Sequence, residues 1–255
     1  MLQSIFLIID EINGETGNKN ALVMKLDLSS FESIRQFAAE VIRTEKKIDV
    51  FVHNAGTSEI SKRKISVDGI ELTMATNHYG PFLLTHLLID LMKKSENCRI
   101  VIVSSMLHTV SSLDPLNKDS LNPINFFIPF QLYINSKMAN ILFCYELARK
   151  LNGTKITANC LHPGSVGTGI FNNYPFPLKV AFIIMTMLFF KTPEEGSQTT
   201  NYVAVSTDLN GISGKYFREC NDKKSSQNSY NIEWQKALWK ASEKIVKLTG
   251  NDPKI

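Results

Sequence analysis

The chain has 255 residues, 44% hydrophobic and 20% charged, which is ordinary globular composition and enough for one large α/β domain with a full core. Its net charge of +4, from 28 basic against 24 acidic side chains, is too weak and too scattered to argue for nucleic acid. The four cysteines (Cys98, Cys144, Cys160, Cys220) show neither metal spacing nor a paired pattern, which favours a reducing compartment.

MLQSIFLIIDE places seven apolar residues among its first nine, but it lacks the basic n-region and long apolar core of a signal peptide and is too short to span a bilayer. SIFLII, residues 4–9, fits a strand and the start of a helix equally well by periodicity. ALVMKLDL, from Ala21, reads as a strand ending at Asp27, and SSFESIRQFAAEVIRTEKK follows with a Ser-x-x-Ser start and helical periodicity. IDVFVHNAG reads as a strand that stops in a small-residue turn. TNHYGPFLLTHLLIDLMKK reads as a helix with Pro81 near its first turn. RIVIVSS is a third strand, apolar on both faces, SKMANILFCYELARKL a helix, and KITANCLHPG a fourth strand. The 13 residues from Leu178 to Phe190 fall short of a bilayer span and read as a buried or interfacial helix. TPEEGSQTTNYVAVSTD is a helix opened by Pro193 and acidic residues, and ECNDKKSSQNSYN a charged surface loop. Strands buried on both faces and separated by helices argue for a parallel sheet with βαβ crossovers, one domain over residues 1–255.

Ligands of an open parallel sheet bind at the carboxyl ends of its strands. Four strands here end in small polar residues: Asp27; Asn54-Ala55-Gly56; Ser104-Ser105; Pro163-Gly164. One such ending is ordinary turn chemistry; four on one rim point to a site. Tyr133 and Lys137 lie four apart on a helix and are therefore surface neighbours. A lysine cation beside a phenol favours the phenolate and lowers a pKa that is normally about 10, giving a proton donor or acceptor near neutral pH. His53, His78, His108 and His162 have no paired-ligand spacing, so no metal is expected.

These residues resemble the short-chain dehydrogenase/reductase family: Asn54-Ala55-Gly56 after a strand, Asn77 opening the next helix, Ser105 ending VIVSS, Tyr133-x-x-x-Lys137, and His162-Pro163-Gly164 with Thr168. DEINGETGNKN, DLSSFESIRQFA, ATNHYGPFLLTHLL and FFKTPEEGSQT resemble its retinol dehydrogenase-type members, and the likeness covers about residue 10 to the end. The resemblance implies a Rossmann-type doubly wound parallel sheet and reversible alcohol–carbonyl interconversion on a lipophilic substrate, retinol/retinaldehyde-like. It implies catalytic roles for Asn77, Ser105, Tyr133 and Lys137. Tyr133 would exchange the proton, Lys137 would lower its pKa and hold the nicotinamide ribose, Ser105 would orient the substrate oxygen, and Asn77 would anchor a water relay. Asp27, Asn54, Ala55, Gly56, Tyr133, Lys137, Pro163, Gly164, Val166 and Thr168 would contact the cofactor. NADP(H) is favoured from the subgroup, with NAD(H) as the alternative. Residues 174–192 would form a substrate lid whose apolar content suits a lipophilic substrate or a membrane surface, and a homodimer is among the partners the family implies. The implied location is intracellular, cytoplasmic or on the endoplasmic-reticulum membrane.

The family opens with a strand and a glycine-rich turn that meets the pyrophosphate. This chain has no glycine before Gly14, and NGETGN matches the family's loop before the third strand. The resemblance therefore implies an N-terminally incomplete sheet lacking its first two strands and first helix, with DVFVHN left as an exposed apolar edge. Two readings follow: an oxidoreductase whose sequence lacks its N-terminus, or a non-catalytic truncated isoform or fragment unable to bind dinucleotide. A third is a membrane-associated binding protein that uses the apolar lid.

Overall fold

CRIVIV is apolar at every position but one, and the sheet is built around it. The computed structural model describes residues 9, 11–58, 62–124, 128–164 and 192–255. Strands β1 (Val50–His53), β2 (Cys98–Val103), β3 (Ile156–His162) and β4 (Tyr216–Arg218) run parallel in that spatial order, and β5 (Asn221–Lys223) adds antiparallel to β4. His53 stands beside Ile102, Ile102 beside Cys160, and His162 beside Arg218, so the carboxyl ends of the parallel strands open on one rim.

Alternate residues of β2 feed two cores. Ile100 and Ile102 point into a large one, shared with helices α1 (Phe31–Thr44), α2 (Gly80–Met92), α3 (Pro129–Lys150) and α5 (Ile232–Ile245). Val101 and Val103 point the other way, toward Leu161, Phe217 and the Val203 and Ala204 side chains of α4 (Pro193–Val205). Helices therefore cover both faces of a parallel-dominated sheet, which is the doubly wound α/β architecture of the Rossmann type. Full burial of each such aliphatic side chain contributes about 1.5–3 kcal/mol.

Several elements differ from their sequence reading. Residues 21–27 form no strand. Met24, Leu26 and Leu28 pack on the large core with strand-like alternation, but residues 21–26 make no backbone hydrogen bond with any described residue, so no ladder forms. The helix around Asn77 begins earlier, with an α-helical turn at Leu72–Met74 and a π-helical turn at Ala75–Tyr79 leading into α2. Pro81 thus lies inside a continuous helical run. The Gly80 N–H reaches back five residues to the Ala75 carbonyl, and this widened turn precedes the proline, which cannot donate. α3 starts at Pro129, one turn before Tyr133. The segment read as a charged loop contains β5, joined to β4 by Glu219 and Cys220, both at positive φ (53° and 57°) without the glycine that normally announces such a turn. α5 escaped notice although Asn231 caps it with two hydrogen bonds.

Among the described residues β1 is one of the two edge strands of the sheet. Val50 is 40% and Val52 37% exposed. Residues 4–8 of SIFLII, Val166, Thr168 and all but Thr192 of the expected lid lie outside the described residues.

Candidate active site

α3 carries a run of buried polar groups: Asn135, Ser136, Lys137 and Asn140. Each is tied down. The Lys137 ammonium donates to the Val103 carbonyl at the end of β2 (3.2 Å) and stands over the Tyr133 ring, 5.4 Å from its centroid. Asn140 donates to the same carbonyl, and Ser136 donates to the Tyr133 carbonyl (2.7 Å). Burial holds the Lys137 pKa down to about 8.

β2 delivers two serines with opposite duties. The Ser104 hydroxyl points inward and donates to the Lys137 carbonyl (2.7 Å), fixing helix to strand. Ser105 caps the 3-10 turn Met106–Val110, and its Oγ accepts the Leu107 N–H (3.2 Å). Burial pushes the Tyr133 phenol above its ordinary value, and a hydrogen bond with the Ser105 side chain pulls it back. Lys137 does not produce the depression expected from sequence. Its ammonium donates to the Val103 carbonyl and lies over the ring, and desolvation wins at Tyr133.

Asn77 sits in the π-helical turn, buried, and bridges two elements. Its Oδ1 accepts the Thr57 N–H (2.7 Å), and its Nδ2 donates to the Thr57 carbonyl (2.8 Å) and to Ser136 Oγ (2.9 Å). The amide clamps the loop after β1 directly onto α3. A single-turn π-helix at a functional position is a recurrent device for re-aiming one side chain. A Cβ built on Gly56 would lie 3.3 Å from both Asn77 Oδ1 and Lys137 Nζ, so the glycine brings the loop backbone close to both groups. Asn54 and Ala55 are exposed at the end of β1, and Pro163 and Gly164 (φ +98°) end β3 on the same rim.

The Asp27 carboxylate accepts the Ser29 N–H (2.9 Å) and hydroxyl (2.6 Å), capping the turn into α1. Sequence reasoning missed Thr57, Ser136 and Asn140. For Ser136 and Asn140 the signal was the presence of polar residues on an otherwise apolar helix face; Thr57, in the loop after β1, carried none. Among the described residues no group of His, Cys, Asp and Glu forms a metal cluster, and all four cysteines are free thiols.

The arrangement is a phenol, an ammonium and a serine hydroxyl on one rim of a parallel sheet. A family profile for short chain dehydrogenases matches residues 6–114. Retinol dehydrogenase 14 of Homo sapiens is 40% identical over 237 residues, covering 92% of this chain and 69% of that protein. This chain belongs to the short-chain dehydrogenase/reductase family. It is retinol dehydrogenase-like, and thus an oxidoreductase by family. Polyprenol dehydrogenase of Homo sapiens is 36% identical over 249 residues, 95% of this chain and 73% of that protein. The crystal structure of an uncharacterized protein from Mycobacterium paratuberculosis superposes with a TM-score of 0.69 at 27% identity, over 93% of this chain and 80% of that one.

The family's cofactor is a nicotinamide dinucleotide. The rim fits its nicotinamide-ribose end: the close Gly56 backbone and an ammonium with a single described acceptor lie side by side. Among the described residues no glycine-rich turn is present to receive the pyrophosphate.

Proposed function

We propose that the chain interconverts a lipophilic alcohol and its carbonyl compound, with a retinol/retinaldehyde-like substrate and NADP(H) in preference to NAD(H). The observation that carries this reading is the convergence of Tyr133, Ser105 and Lys137 where β2 meets α3. When bound, the nicotinamide dinucleotide would supply or accept the hydride. Ser105 Oγ accepts the Leu107 N–H, which leaves its own proton to donate toward the Tyr133 phenol or a substrate oxygen. Tyr133 delivers or takes the proton, and Lys137 holds the ribose hydroxyls. Asn77 fixes the loop that carries Gly56. Asn54, Ala55, Gly56, Pro163, Gly164, Val166 and Thr168 line the cofactor, and residues 174–192 cover an apolar substrate. The names of the relatives, retinol and polyprenol dehydrogenases, support a long apolar substrate.

Tyr133→Phe removes the proton and keeps the ring. In an assay of retinaldehyde reduction with NADPH, turnover is expected to fall at least about a hundredfold, with NADPH affinity by calorimetry unchanged. Retained turnover would assign the proton to another group. An unmutated chain that is folded yet binds neither NADPH nor NADH would favour the non-catalytic reading.

A further inference from the structure

The turn that starts at Ser105 is too short to hold itself. Met106–Val110 is one 3-10 turn, a geometry with weak hydrogen bonds. What fixes it is His108, only 2% exposed. Its Nδ1 lies 2.6 Å from the Ser105 carbonyl, and its Nε2 lies 3.0 Å from the Ser226 amide nitrogen. A carbonyl only accepts and a backbone N–H only donates. Nδ1 therefore carries the proton and Nε2 is bare, so the two partners together settle the tautomer. The ring also lies against Tyr216 of β4, centroids 5.1 Å apart. It is wedged between the serine turn, the segment after β5 and the sheet. Burial lowers the His108 pKa, opposed by the Ser105 carbonyl, so the ring stays neutral at pH 7.

We propose that His108 is a positioning residue for Ser105: its Nδ1–H, anchored through Nε2 to Ser226, orients the Ser105 peptide and so aims the Ser105 hydroxyl at Tyr133. The proposal rests on the reading of Ser105 and Tyr133 given above. The Ser105 carbonyl takes two donors from one residue, the ring and the His108 backbone N–H (3.2 Å). With the carbonyl pinned, the Leu107 N–H falls on Ser105 Oγ, and the hydroxyl proton is left to point outward. Without the ring donor, a single longer backbone bond would hold the peptide that carries the catalytic hydroxyl.

The two nitrogens can be tested apart. Asparagine at 108 places an amide nitrogen near the Nδ1 position, and glutamine places one near Nε2. Hydrogen exchange of the Leu107 amide, read by NMR in the full chain, reports whether Ser105 Oγ is in place; the Cys160 amide in β3 reports global stability. His108→Gln is expected to speed Leu107 exchange at least about tenfold while Cys160 is unchanged, and His108→Asn to restore the slow rate. In turnover with retinaldehyde and NADPH, His108→Gln lowers kcat with KM unchanged, and His108→Asn recovers it. Equal loosening in both variants, or in neither, overturns the proposal, because a ring that merely fills space has no preference between them. If the Leu107 pattern holds while the unmutated chain shows no turnover, the reaction reading falls and the positioning role stands.

Discussion

Lys137 carries an ammonium group into the interior, and that has a thermodynamic signature. Its folded pKa is near 8, against 10.5 for the same side chain in water. Between these values the unfolded chain binds more protons than the folded one, so stability rises with pH across that window, and below about pH 8 the penalty is fully present. The difference corresponds to about 3 kcal/mol. Lys137→Met is expected to stabilise the chain at pH 7 by on the order of 1–3 kcal/mol in urea unfolding, while abolishing turnover. The stability difference between the two proteins should shrink from pH 8 to 10.5. Equal stability at pH 7 would mean that the Val103 carbonyl offsets the burial. This residue was legible in the sequence because spacing alone places it beside Tyr133. His108 and Ser136 were not, since their partners lie 118 and 59 residues away and only the folded chain brings them together.

Among the elements, the helical run through Asn77 shows how local chemistry and packing agree. Gly80 is not there for backbone freedom, because its φ of −62° suits any residue. It is there for space: a Cβ would stand 2.2 Å from the Leu28 carbonyl oxygen, so the segment before α1 rests directly on α2. Gly80→Ala is expected to cost about 1–3 kcal/mol in equilibrium unfolding, the usual penalty of overpacking. A neutral substitution would mean that residues 24–28 shift away freely. The helices and strands that matched their sequence reading have apolar periodicity and caps in agreement, as in α4, where Thr192 and Glu195 form a reciprocal capping box. The failures share a cause. The alternation of residues 21–27 satisfies the core, but a strand also needs a neighbour, and no sequence window of that segment reveals whether one is present. The β4–β5 turn defied reading because Glu219 and Cys220 adopt a conformation that composition assigns to glycine or asparagine.

At the scale of the whole molecule, the sheet ends on β1 with two half-exposed valines, an edge able to pair with another chain. The double variant Val50→Lys/Val52→Lys is expected to slow aggregation severalfold by light scattering at 37 °C, with the circular dichroism spectrum unchanged. Unaltered aggregation would place the sticky surface elsewhere. The asymmetry of the two cores has a different outcome. Among the described residues, four long helices and several short helical turns share the large one, whereas α4 alone covers the small one through Val203 and Ala204. Opening free energy scales with the apolar contacts that must be broken. α4 is therefore expected to open before the opposite layer, which holds Tyr133, Lys137 and Asn77. A protease given the native protein would cut first around α4, and the surviving layer would keep those three side chains in register.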